Sequence, residues 1–339
     1  MDDFVHALAS HSRFYRSRLA EADRRRYDSI LSGMQTFQES VCVPLSSGVR
    51  SVSDLLHFVR LDNPELFYVD FGKMRIARWP AYTKLFISYM YEPSQARSKG
   101  EKLAARIAEI FDAAGVSKLS PYGRELFFHD FLHTRITYEH KDSGYYKSHS
   151  VEGALLHGRA VCEGYAKAFK LLCDKAGLSA LVVFGTAAPR TGVMEDHAWN
   201  IVKLHGQCYH VDVTWDHGMA VLEGEINHTY FNTTDRKISY SHAWDQELLP
   251  ACTSTEYSYY EKNELVFPDT TGLIQYFAEH IRAGELLFCV KTDPRTQSRD
   301  TVSSAFRAAL LKCPRKRSAM AYQICYDEAH GVASIRIKP

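Results

Sequence analysis

The chain has 339 residues, 45% hydrophobic and 24% charged, enough to bury a substantial core in two or three structural units. Its net charge of +1 gives no general attraction for nucleic acid or an anionic membrane, and its apolar runs fall far short of a membrane span. Eight cysteines without one C-x-x-C pair argue against a disulfide scaffold and a zinc knuckle.

In chain order, residues 11–38 read as helical, with Arg24, Arg25 and Arg26 on a solvated face. Residues 1–8 lack a basic start and an apolar h-region, so a cytoplasmic, reducing setting is expected. A helix is predicted over 51–61, capped by Ser51 or Ser53 and stopped before Asn63-Pro64. Short strands are predicted over 66–70, 75–79 and 82–91. Residues 94–114 form an amphipathic helix with Leu103, Ile107, Ile110 and Phe111 on one face, ended by Gly115. Residues 117–123 are a break. A helix over 124–133 leads into Ile136-Thr137-Tyr138, and a polar loop covers 139–150.

A helix starting near Cys162 keeps Tyr165, Phe169, Leu172 and Ala176 at i, i+4, i+7 spacing, with Gly177 as its stop. A buried strand follows over 181–185. Strands over 198–204 and 208–215 flank His205-Gly206, a hairpin signal. After about residue 269 the pattern is helix 271–283, strand 286–291, helix 301–311, and strands 319–327 and 333–337. The expected organisation is an N-terminal α/β region over 1–118, a catalytic core over 119–268 and a small C-terminal α/β domain over 269–339.

Three side chains carry the chemical signal. A thiolate is the reactive form of cysteine, and a helix N-terminus favours an anion; Cys162 stands where its helix begins. A lone cysteine is more often a packed core residue, the reading given to Cys173 and Cys208. His197 opens a strand before Ala198-Trp199-Asn200, where it could reach a helix terminus as a base. His210 is its rival, whereas His157 and His205 look like loop residues. A carboxylate within an apolar strand is costly unless partnered. Asp212, flanked by Val211 and Val213, would orient a histidine; Asp216 is the weaker alternative. An oxyanion donor is also required. The Cys162 backbone N–H is one candidate, and Tyr145, Tyr146 and Trp199 are others.

Three pieces now stand in order: Val161-Cys162-Glu163-Gly164-Tyr165-Ala166, His197-Ala198-Trp199-Asn200, and Tyr209-His210-Val211-Asp212-Val213-Thr214-Trp215-Asp216. Over roughly residues 120–250 they resemble the core of the transglutaminase-like superfamily, which has a papain-like fold. The resemblance implies an α+β fold, with a catalytic helix packed on an antiparallel sheet. It implies Cys162 as nucleophile, His197 as base and acid, Asp212 as orienter, and Tyr145 or Tyr146 as the aromatic aid to the oxyanion hole. Paired zinc-binding cysteines of the N-glycanase branch are missing, as are an acidic calcium loop and a flanking β-sandwich. Deglycosylation and calcium-dependent crosslinking are therefore not expected. Asn63-Pro64-Glu65-Leu66-Phe67 resembles the leader of some bacterial members.

The expectation is a thiol enzyme acting on amide bonds of peptides or proteins, with hydrolysis favoured. Protein-glutamine amine transfer is the alternative, and a non-catalytic binding module that retains the fold is the alternative of another class. No cofactor, metal, nucleic acid or membrane is implied. The basic run Lys312-Cys313-Pro314-Arg315-Lys316-Arg317 lacks interleaved aromatics. Asn227-His228-Thr229 and Asn232-Thr233-Thr234 fit glycosylation sequons, relevant only to a secreted protein.

Overall fold

The helix Cys162–Lys175 is the centre of the first structural unit. Every residue from position 163 to 174 is buried. Four of those residues are charged, and burial is tolerable only with partners. Lys167 Nζ meets Glu163 at 2.8 Å and Lys170 Nζ meets Asp174 at 2.7 Å. The computed structural model describes residues 8–9, 12–45, 50–139, 146–188, 192–218, 222, 224–313 and 320–338. Two compact units divide the chain, Met1–Thr214 with Thr234–Thr253, and Trp215–Thr233 with Ser254–Pro339. The architecture is α+β.

In the first unit the central helix packs on an antiparallel sheet. Strands Ser179–Ala187, Glu195–Leu204 and Gln207–Val211 lie side by side, and the two-residue strand His242–Ala243 pairs with the outer side of the first. His205 and Gly206 take the positive φ values, 46° and 89°, that a tight hairpin requires. Asn200 Nδ2 donates to the Ala166 carbonyl at 2.9 Å and the Leu181 carbonyl at 3.1 Å, pinning helix to sheet.

The N-terminal elements belong to this same unit. Helices Glu21–Gln35 and Val52–Asp62 accompany a three-stranded antiparallel sheet of Ser40–Pro44, Tyr82–Phe86 and Arg75–Arg78. Ser51 and Asp54 form a capping box at the second helix. The helix Pro93–Ala114 ends at Gly115, and Ser120 caps the helix Pro121–Arg135. Arg60 Nε reaches Glu163 at 2.6 Å, Tyr15 donates to the Val182 carbonyl at 2.7 Å, and Lys170 donates to the Ser12 carbonyl at 2.7 Å.

Several sequence-based expectations change. The stretch 11–38 is two helices, Phe14–Ser17 and Glu21–Gln35, parted at Ala20, whose backbone is extended. Arg26 is buried rather than solvated, because Asp23 and the Arg50 carbonyl hold its guanidinium. Residues 66–70 form no continuous strand: hydrogen bonds from Leu66 N–H to Asn63 and from Val69 N–H to Leu66 bend the chain, and Val69 alone makes an antiparallel bridge to Tyr89. The strand begun at Tyr82 stops at Phe86, and the strand Ser40–Pro44 and the helix Val151–His157 had no reading of their own. The last core strand ends at Val211, and Val213–Gly218 is helical. Thr214 Oγ1 turns back onto Asp212 Oδ1 at 2.6 Å, which breaks the strand alternation.

The second unit carries strands Val266–Phe267, Leu287–Thr292, Val332–Ile337 and Tyr322–Asp327, in that spatial order. Helices Thr270–Ala283 and Arg299–Leu311 supply Phe277, Ile281 and Phe306 to a core shared with Phe288, Val290 and Ile335. Both sequon asparagines, Asn227 and Asn232, are buried, so neither is open to modification in the folded chain. The basic residues Arg315, Lys316 and Arg317 lie outside the described residues. Among the described residues no helix is long and apolar enough to cross a membrane.

Gly164, in the first turn of the central helix, has a definite steric reason. A Cβ there would stand 2.2 Å from the Ser148 carbonyl oxygen and 2.8 Å from the Ala160 Cβ. Gly164→Ala is expected to destabilise the first unit by about 1–3 kcal/mol, measured as a lower denaturant midpoint. An unchanged midpoint would show that the segment around Ser148 is not fixed against the helix.

Candidate active site

Cys162 is the first residue of its helix, and the preceding Val161 provides no side-chain cap. Amide N–H groups at such a terminus suit a developing negative charge. The terminus is anchored from the side by Glu163. Burial raises this carboxyl, but Lys167, His149 and Arg60 outweigh it and hold Glu163 well below the usual carboxylate range. His149 Nδ1 lies 3.0 Å from Glu163. The neighbouring Val161 N–H donates to the Ser148 carbonyl at 3.0 Å.

His197 stands third in the strand Glu195–Leu204, opposite Gly185. Its Nε2 lies 2.7 Å from Asp212 Oδ2, and the ring also hydrogen-bonds the Cys162 thiol. With Nε2 on Asp212, Nδ1 is the nitrogen left to face sulfur. Burial pulls the imidazolium down, yet the Asp212 charge and the hydrogen bonds to Asp212 and Cys162 dominate and push it up to about 10. Asp212 follows directly on the strand Gln207–Val211 rather than lying within it. The register Asn200↔Val211 carries it past the last pair, alongside Trp199. Burial raises its carboxyl, but His197 and His242 win and keep it strongly depressed. The structure thus brings Cys162, His197 and Asp212 into one hydrogen-bonded chain.

His242 is a residue that sequence reasoning did not single out. Its Nε2 lies 3.0 Å from the same Asp212 Oδ2, and its Nδ1 lies 2.7 Å from Ser241 Oγ. Burial lowers it, so it is a neutral ring. One histidine among 16, on a two-residue strand, carries no periodic signal.

The rival His210 is engaged elsewhere. Trp199 Nε1 donates to its Nδ1 at 3.0 Å, and its Nε2 lies 2.8 Å from Asp235 Oδ1. Trp199 is 1% exposed, so its indole N–H is spent inside the core and does not face a substrate. Asp216 accepts the Tyr230 N–H at 3.0 Å within the second unit. His157 closes the helix Val151–His157, and His205 occupies the hairpin turn. Cys173 and Cys208 carry thiols pushed up by burial, which suits packing. Two groups within the first unit, His197–Asp212–His242 and His210–Asp235–Cys252, hold potential metal-ligand atoms near one another; in both, histidine–carboxylate hydrogen bonds already account for the arrangement.

Tyr145 lies outside the described residues, as does the side chain of Tyr146, whose backbone opens the 3-10 turn Tyr146–His149. A different tyrosine reaches the site. The Tyr138 hydroxyl accepts a hydrogen bond from the Cys162 backbone N–H. Burial, together with the nearby Cys162 and Asp212, pushes its phenol up to about 12, which keeps it a donor at neutral pH. Tyr165 fixes the start of that segment by donating to the Ile136 carbonyl at 2.6 Å. Parallel pairing of Thr137–Tyr138 with Arg159–Ala160 was the available signal, hidden by the shortness of both strands.

Residues 113–213 match the model of the transglutaminase-like superfamily. Kyphoscoliosis peptidase of Homo sapiens and of Mus musculus are each 38% identical over 66 residues, 17% of this chain. The matched segment spans only 10% of the length of each of those curated relatives. The crystal structure of a TGase aligns over 56% of this chain and 54% of its own, at 15% identity and a TM-score of 0.31.

The geometry fixes a pH dependence. His197 is raised above its ordinary 6.5, so its contribution to stability is complete below that value and is lost as pH climbs through about 10. Asp212 is depressed below its ordinary 3.8, so its contribution holds above that value and is lost as pH falls further. In Asp212→Asn the counter-charge disappears while burial remains. His197 is then expected to titrate at or below 6.5 instead of about 10, followed by ring-proton NMR. A titration unchanged from wild type would mean that Asp212 does not govern the ring.

Proposed function

We propose that this chain, whose residues 113–213 form a transglutaminase-like superfamily domain, is a thiol enzyme that opens amide bonds of peptides or proteins. The observation that carries the reading is one continuous chain of contacts. A cysteine at a helix N-terminus is hydrogen-bonded to a histidine, whose other nitrogen lies 2.7 Å from a buried carboxylate. Nucleophile, base and orienter in that order are what acyl transfer requires.

In the proposed cycle, the Cys162 thiol passes its proton to His197, and the sulfur attacks the substrate carbonyl carbon and forms a C–S bond. The carbonyl oxygen takes up negative charge, and we assign the Cys162 N–H and the Tyr138 hydroxyl as its donors once that oxygen comes between them. Collapse breaks the C–N bond, and His197 gives its proton to the leaving amine. Water then attacks the thioester as His197 accepts its proton, the C–S bond breaks to release the acid, and His197 returns the proton to the Cys162 sulfur. Asp212 stays ionised throughout and keeps the ring oriented. An amine in place of water at the second step would give transfer in place of hydrolysis. The short similarity to proteins called peptidases favours water.

The test is mass spectrometry of casein incubated with wild type or Cys162→Ala, with and without a labelled primary amine. New termini or deamidation in wild type alone is the expected result, and label incorporation would reassign the acceptor. Identical products from wild type and Cys162→Ala would overturn the reading. With a cleaved peptide in hand, Tyr138→Phe is expected to lower kcat by about 10²–10³-fold with little change in KM, the size of one lost oxyanion donor.

A further inference from the structure

Asp212 is shared by more residues than the proposed mechanism uses. Its Oδ2 faces two imidazoles, His197 Nε2 at 2.7 Å and His242 Nε2 at 3.0 Å, and Thr214 donates to its Oδ1 at 2.6 Å. A carboxylate only accepts, so each ring nitrogen facing it carries a proton. His242 is buried and neutral, with one ring proton, which is therefore on Nε2. Its Nδ1 then accepts from the Ser241 hydroxyl at 2.7 Å. The ring has one tautomer and one orientation.

The chain makes a particular arrangement to deliver this ring. The strand His242–Ala243 sits against Ala187 and Thr186, and Gly185 is what lets it approach. A Cβ at Gly185 would stand 2.3 Å from the Ala243 carbonyl oxygen and 2.9 Å from the Trp199 ring. The segment lies beyond residue 213, where the family match ends. The titratable groups acting on His242 are Asp212, His197 and His210; Trp199 packs edge-on at 5.0 Å between ring centroids.

We infer that His242 is a positioning residue that clamps Asp212 and takes up part of its charge, so that His197 can give up its proton as well as hold it. This rests on the reading of Cys162, His197 and Asp212 as the reacting set. A carboxylate bonded to His197 alone would grip the imidazolium harder, and a general acid works best near the operating pH. A second donor on the same oxygen weakens that grip without removing the orientation.

The experiment is an NMR titration of the His197 ring in histidine-labelled wild type, His242→Ala, His242→Gln and Ser241→Ala. His242→Ala is expected to raise the His197 titration by about one unit, the scale of one hydrogen bond to a charged group. His242→Gln, whose amide can donate to Asp212, is expected to return it most of the way. Ser241→Ala releases the tautomer but leaves the ring in place, and a smaller upward shift is expected. It keeps the test valid if His242→Ala does not fold. A purely structural His242 would change thermal stability with no movement of the His197 titration in any folded variant, and that result overturns the inference. The NMR readout needs no substrate. A silent casein assay with a moving titration would fail the enzyme reading alone, and an active enzyme with a fixed titration would fail the His242 role alone.

Discussion

One buried carboxylate organises the site. Asp212 is 1% exposed, and a charge in that position is tolerable only while donors surround it. His197, His242 and Thr214 are those donors. They come from three places in the chain, so satisfying Asp212 also brings together the elements that carry His197 and His242. Removing the carboxylate would leave His197 buried without its counter-charge; removing a donor would leave the carboxylate poorly compensated.

The same logic extends to the central helix. Its buried charges bind it to the sequence before it, through Arg60 on Glu163 and the Ser12 carbonyl on Lys170. The site therefore depends on residues outside the stretch 113–213 that matches the family model, with Arg60 upstream and His242 downstream. A fragment confined to that stretch would lack both. Rigidity at the helix start follows from Gly164 and Val161 against the Ser148 carbonyl, which fixes the sulfur relative to the imidazole.

Much of the arrangement is legible in sequence where the signal is local. The i, i+4, i+7 spacing after Cys162 and the stop at Gly177 mark the central helix, and His205-Gly206 marks the hairpin that sets the register carrying Asp212 past Val211. The apolar flanks of Asp212 correctly indicate burial, though they suggested a strand interior. What they could not convey is that Thr214 folds back on the carboxylate and ends the strand. Signals that depend on distant pairing were not readable. Tyr138 sits on a two-residue strand whose partner is 22 positions away, and His242 is placed by a glycine 57 positions upstream. The helix Val151–His157 was obscured by its polar, serine-rich flanks, although Val151, Ala154 and Leu155 keep a helical apolar spacing. His210, the second choice after His197 in sequence terms, is removed from the site by where Trp199 and Asp235 fall in space.

In the proposed reading, Asp212 acts through His197 to make Cys162 a nucleophile. The most direct test of this is site-resolved alkylation by iodoacetamide at mildly acidic pH, comparing wild type with Asp212→Asn. Cys162 is expected to react well ahead of the other seven cysteines in wild type, and Asp212→Asn is expected to remove this lead while leaving the others unchanged. Uniform slow labelling in wild type, or an equal lead in Asp212→Asn, would contradict it.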